Sequence, residues 1–116
     1  MMPFAPLAAL LLAIAVGTGA FGAHALKEKL DVYALGVWEK AVFYQFIHSL
    51  GMLITALSVK RSDTVCWLFL AGILLFSGSL YLLALTGVRT LGAVTPLGGV
   101  AFIAAWLMLA WRLFKG

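Results

Sequence analysis

Four long stretches without a charged side chain set the terms for this chain. They are residues 1–26, 41–59, 64–88 and 90–111, separated by the charged segments 27–40 and 60–63 and by Arg89 alone. Each is near or above the ~20 residues that a helix needs to cross the hydrocarbon core of a bilayer. Lipid offers no hydrogen bonds to the backbone, so runs of this length span as helices, which satisfy their own N–H and C=O groups. The fold class expected is therefore all-α: a single-domain integral membrane four-helix bundle, with spans at approximately 4–26, 39–59, 64–86 and 95–114. In a chain of 116 residues, 65% hydrophobic and 10% charged, four spans leave no length for a soluble domain, a nucleotide-binding loop or an extramembrane active site.

The formal charge of +4 comes from eight Lys and Arg residues scattered among span ends. They form no basic face, so nucleic acid is not an expected partner. Cys66 is the single cysteine, which rules out an internal disulfide and a thiolate metal site. With two histidines at different depths and no ligand cluster, no metal or cofactor is expected within one chain.

The first span carries rows of small residues at four-residue spacing: Ala9, Ala13 and Gly17 in one, Ala15, Gly19 and Ala23 in the other, with Thr18 and Gly22 between the rows. Helices in lipid associate by close packing rather than by a hydrophobic drive, and small residues let backbones approach. Ala15, Gly17, Gly19, Gly22 and Ala23 are the expected packing positions, and the first helix is expected to be buried. Ala23-His24-Ala25 has the form of a signal-peptide cleavage site, but no basic residue precedes the apolar run, so the segment is read as a retained span.

Residues 27–40 combine clustered charges with one apolar face at Leu30, Tyr33, Ala34, Val37, Trp38 and Ala41. Two arrangements fit. One is a short interfacial helix between helices 1 and 2, with Trp38 and Tyr33 at headgroup level and a bend at Gly36. The other is a second helix that simply protrudes from the membrane.

The second span holds the most concentrated polar groups. At 100° per residue, Tyr44, Gln45, His48, Gly51, Thr55 and Ser58 fall within about 80° of His48, while Phe43, Phe46, Leu50, Leu53 and Leu57 lie opposite. The polar stripe is expected to face the bundle. Counting ~1.5 Å per residue from a common linker-side surface places His48, Ser77, Gly17 and Ala104 at one level, about 13 Å deep. Gln45, His48, Ser77 and Ser79 make the candidate polar site, with a neutral His48 hydrogen-bonded across to helix three. The same count places His24 about 3 Å deep, in a candidate interfacial site with Glu39, Tyr81 and Thr95. Thr95-Pro96 reads as the start of the last helix, and Gly98 and Gly99 permit close approach there.

Several stretches occur together in one small family: GAFGAH at 19–24, YQFIH at 44–48, LFSGSLYLLALTG at 75–87 and LGAVTPLGG at 91–99. By these motifs, which run in order along almost the whole chain, the protein resembles the domain of unknown function 423 family, which includes the animal transmembrane protein 256. The resemblance implies a four-helix bacterial inner-membrane protein. It implies no reaction for His24, Gln45, His48, Ser77, Ser79, Tyr81, Thr95 or Pro96, the positions that match.

The function expected is that of a non-enzymatic packing, scaffold or accessory protein, with membrane lipid and either a homo-oligomer or a larger membrane complex as partners. The alternatives are a minimal oligomeric transporter or channel subunit with a polar path around Gln45 and His48, and a cofactor- or quinone-binding redox accessory protein. Both termini are expected in the cytoplasm, because Lys60 and Arg61 sit in a very short loop, where the positive-inside rule acts most strongly.

Overall fold

The computed structural model describes residues 3–115, and the regular elements among them are all helical. The first span is α1 (Phe4–Val16), a π-helical segment Gly17–Gly22 and α2 (Ala23–Leu26), running on without a break. The second is α3 (Val32–Leu57), opened by Asp31, whose carboxylate accepts the Ala34 N–H at 2.8 Å and satisfies one of the orphan donors of the first turn. The third is α4 (Asp63–Gly72), a second π-helical segment Ile73–Ser77 and α5 (Gly78–Thr86). A 3₁₀ turn at Arg89–Ala93 leads into α6 (Thr95–Lys115). All four spans are long and apolar enough to cross a membrane.

No separate interfacial helix forms: α3 begins at Val32 and passes through Gly36 without a bend, so its first turns continue the second span. Trp38 is buried, with its side chain turned to the first and third spans. Tyr33 is exposed.

The spans pack in chain order. The first lies on α3, α3 on the third span, and the third span on α6. This makes α3 and the third span the central pair, and the first and fourth spans flanks. The first helix is thus a flank with the smallest buried share, not a buried element. One of its small-residue rows is used: Ala15 is fully buried, a methyl on Gly19 would meet Val42, and one on Gly22 would meet Trp38. The row Ala9, Ala13, Gly17 looks outward, and a methyl on Gly17 would meet nothing. A helix flanked on one side needs only one close-packing face.

The ends of the bundle are tied by backbone acceptors and caps. Ser62 caps α4 through the Val65 N–H, and Gly87 ends α5 in the left-handed conformation, φ 73°, that glycine adopts without steric cost. Arg112 on α6 donates to the Lys60 and Arg61 carbonyls at 3.3 and 2.8 Å, fastening the α3–α4 loop to the last helix. Gly98 of α6 sits against the Phe76 backbone in the second π-helical segment, where any side chain would collide. Gly99, its neighbour, is looser.

Candidate functional site

The two π-helical segments flank a buried polar layer. In the first, the Thr18 carbonyl takes the Ala23 N–H in the wide i→i+5 pattern and also the Trp38 indole N–H at 2.8 Å. The Thr18 hydroxyl lies 3.0 Å from the Tyr81 hydroxyl and 3.2 Å from the Ala15 carbonyl. Tyr81 donates its proton to Gln45 Oε1 at 2.6 Å, so at the Thr18 contact the tyrosine oxygen is the acceptor. The single Thr18 proton is therefore shared between two acceptors. Gln45 completes the chain by donating from Nε2 to the Leu11 carbonyl at 2.8 Å. Thr18, Tyr81, Gln45 and Leu11 thus link the first span, α3 and the third span through one network, with the Trp38 ring edge-on to Tyr81 at 4.7 Å. Half-buried and buried polar groups in lipid require such partners, because an unmet one is desolvated without compensation.

Toward the other membrane surface the core becomes aromatic. His48 stacks on Phe102 with ring centroids 3.5 Å apart and planes 8° from parallel, and is bordered by Tyr44 at 5.7 Å, Trp106 at 5.9 Å and Phe69 at 6.0 Å. Its Nδ1 donates to the Tyr44 carbonyl one turn back, at 2.7 Å. His48 does not bond across to helix three. The expected Ser77 partner donates instead to the Ala41 carbonyl at 2.7 Å, seven residues or about 10 Å up the α3 axis from His48. Ser79 donates to the Phe76 carbonyl and meets Thr95 at 2.6 Å. The depth count failed because the helix ends share no common plane: α3 starts early at Val32, and α6 starts late, level with Ser79.

Of the four residues Gln45, His48, Ser77 and Ser79, none bonds to another through its side chain; each is satisfied elsewhere. The interfacial group separates as well. Tyr81 joins Gln45 in the polar layer and Thr95 joins Ser79, while Glu39 lines an apolar groove with Gly19, Trp38 and Phe46. His24 is exposed beside Lys27, Glu28 and Lys29. Thr55 is closed on the Gly51 carbonyl, and Ser49 Oγ is buried with no partner among the described residues. The participants that sequence reasoning missed are Thr18, Trp38 and Phe102. Only a buried tryptophan facing a glycine-rich stretch could have pointed to the first two.

Comparison with known proteins meets this geometry at one point. The family described as "protein of unknown function (DUF423)" matches residues 18–99, a segment that opens on Thr18 and closes on Gly99. The chain belongs to the DUF423 family. A UPF0382 membrane protein of Staphylococcus saprophyticus is 52% identical over 99% of both chains, and one of Staphylococcus epidermidis is 54% identical over 99% of this chain and 98% of its own. The UPF0382 membrane protein YwdK of Bacillus subtilis is 49% identical over 94% of each. No solved structure matches the chain. The DUF423 segment contains Thr18, Trp38, Gln45, Ser77, Tyr81 and Thr95, hence every side chain of the polar layer, while Phe102 and Trp106 lie beyond it. The protein is a multi-pass membrane protein of a family whose names assign no activity.

Proposed function

We propose that this DUF423 protein is a non-enzymatic packing or accessory protein of the bacterial inner membrane, acting through association with a second copy or with a larger membrane complex. The observation that carries the reading is the closure of its buried polar groups. Gln45 spends its amide on Leu11 and its carbonyl on Tyr81, and Ser77 and Thr55 end on backbone carbonyls. The aromatic layer of His48, Tyr44, Phe69, Phe102 and Trp106 occupies the bundle beneath. These groups hold helices together; they do not point into a shared space. Association then falls to the flanks, where Ala9 and Ala13 leave a close-packing row open on the first span.

We infer cytoplasmic termini from the very short α3–α4 loop, which carries Lys60 and Arg61 where the positive-inside rule acts most strongly. Particle mass in nanodiscs made directly from native membranes tests the association: assemblies larger than the 12.4 kDa chain are expected. A particle that is monomeric at native density, together with a pH-dependent flux in proteoliposomes lost in Gln45→Leu, would overturn the reading in favour of a conduit.

A further inference from the structure

A notch at the linker end of the bundle combines an acyl-chain surface with unneutralised cations. It arises from unequal helix lengths. Because the Ser79 and Thr95 hydroxyls meet at 2.6 Å, α6 starts level with Ser79, seven residues and about 10 Å below the end of α5 at Thr86. The 3₁₀ turn Arg89–Ala93 crosses this gap without filling it. What remains is a groove of about 450 Å³ whose lining includes Val37, Phe76, Leu80 and Leu83 as an apolar floor, with Tyr33 and Lys40 along one side.

Three positive features converge on it. Lys40 lines the groove, the Arg89 guanidinium lies 4.6 Å over the ring of Tyr33, and the N-terminal end of α6, at Thr95 and Pro96, opens into it with the positive pole of the helix dipole. No acidic residue lines the groove. Among the described residues neither Lys40 nor Arg89 has an ion pair, and Glu39, although adjacent to Lys40, lies on the other face with Gly19 and Phe46.

We propose that this groove holds one anionic phospholipid, with its phosphate between Lys40 and Arg89 and an acyl chain along Val37, Leu80 and Leu83. Any lipid could supply the chain. Two cations without counter-charges select a headgroup of net negative charge, since a zwitterionic one brings its own ammonium. Free phosphate shares the headgroup chemistry but leaves the apolar floor uncovered.

The test uses the full chain, delipidated in neutral detergent, mixed with phosphatidylglycerol or phosphatidylcholine and weighed by native mass spectrometry. One phosphatidylglycerol per chain is expected to be retained in preference to phosphatidylcholine. Lys40→Gln and Arg89→Gln should each weaken retention about five-fold, and Lys60→Gln, at the opposite end of the bundle, should leave it unchanged. Val37→Trp, which fills the groove and keeps both cations, should weaken it too, so the proposal stays testable if a charge variant fails to fold. Equal retention of the two lipids, or retention untouched by Lys40→Gln and Val37→Trp alike, would overturn it. Displacement of phosphatidylglycerol by millimolar inorganic phosphate alone would also overturn it, assigning the site to a small anion.

Discussion

His48 and Phe102 lie ring on ring, 3.5 Å between centroids, and this contact joins α3 to α6 across the middle of the bundle. Neither helix makes extensive backbone contact with the other, so side chains carry the connection. An imidazole in such a layer acts as a flat filler with one hydrogen bond to its own helix. Aromatic pairs of this kind contribute about 0.5–1.5 kcal/mol beyond the area they cover.

The hydrogen bond to Tyr44 decides the tautomer. A carbonyl only accepts, so Nδ1 carries the proton and Nε2 in the neutral ring is bare. Nitrogen NMR of histidine-labelled protein should show a protonated Nδ1 for His48. A signal protonated at Nε2 alone would show that the Tyr44 bond does not exist in the membrane. His48→Phe, which keeps the stack, should cost less than about 1.5 kcal/mol, and His48→Ala about 2–4 kcal/mol through the cavity it leaves.

Gln45 and Tyr81 should be energetically coupled. Removing either strands the other beside Thr18, so Gln45→Leu and Tyr81→Phe are expected to be non-additive by about 0.5–2 kcal/mol. Reversible unfolding in mixed micelles measures this through the two single variants and the double. Strict additivity would mean that the 2.6 Å bond contributes nothing.

Ser49 offers the opposite case. Its buried hydroxyl has no partner among the described residues, so Ser49→Ala removes a desolvated polar group and should leave stability unchanged or raise it by about 1 kcal/mol. A loss greater than that in the same assay would reveal a partner for the hydroxyl.

Glycines on and off the packing faces should separate cleanly. Gly98→Ala drives a methyl into the Phe76 backbone and Gly19→Leu drives a side chain into Val42, each costing about 1–3 kcal/mol. Gly17→Ala meets open space, and Leu10→Ala trims an exposed side chain, so both should change the melting temperature in detergent far less. If Gly17→Ala proves as damaging as Gly98→Ala, the outward row of the first span is already occupied by a partner.

The four-span topology predicts that a reporter active only in the cytoplasm gives unequal signals when fused at residue 116 and near Lys29. Equal signals would refute the three crossings that separate those two points.

The sequence by itself determined the spans and which face of the second one looks inward. Uninterrupted apolar length and the absence of charge are local properties, and lipid leaves a helix as the backbone's solution to them. The Gln45–His48–Thr55 stripe was legible for the same reason, since a fixed 100° per residue sorts polar from apolar side chains before any partner is known. Its greasy side is indeed outward, with Phe43, Leu50 and Leu57 exposed. Tertiary structure alone decided the partners. Gln45 found Tyr81 instead of a serine, His48 found Phe102, and Trp38 turned its indole N–H to the Thr18 carbonyl. These pairings depend on the relative heights of helices, which follow from where α3 and α6 begin and from two π-helical segments that add a residue to a turn. A shift of one helical turn is ~5.4 Å. That is larger than any hydrogen bond, so a small error in height exchanges every partner while leaving the spans themselves unchanged.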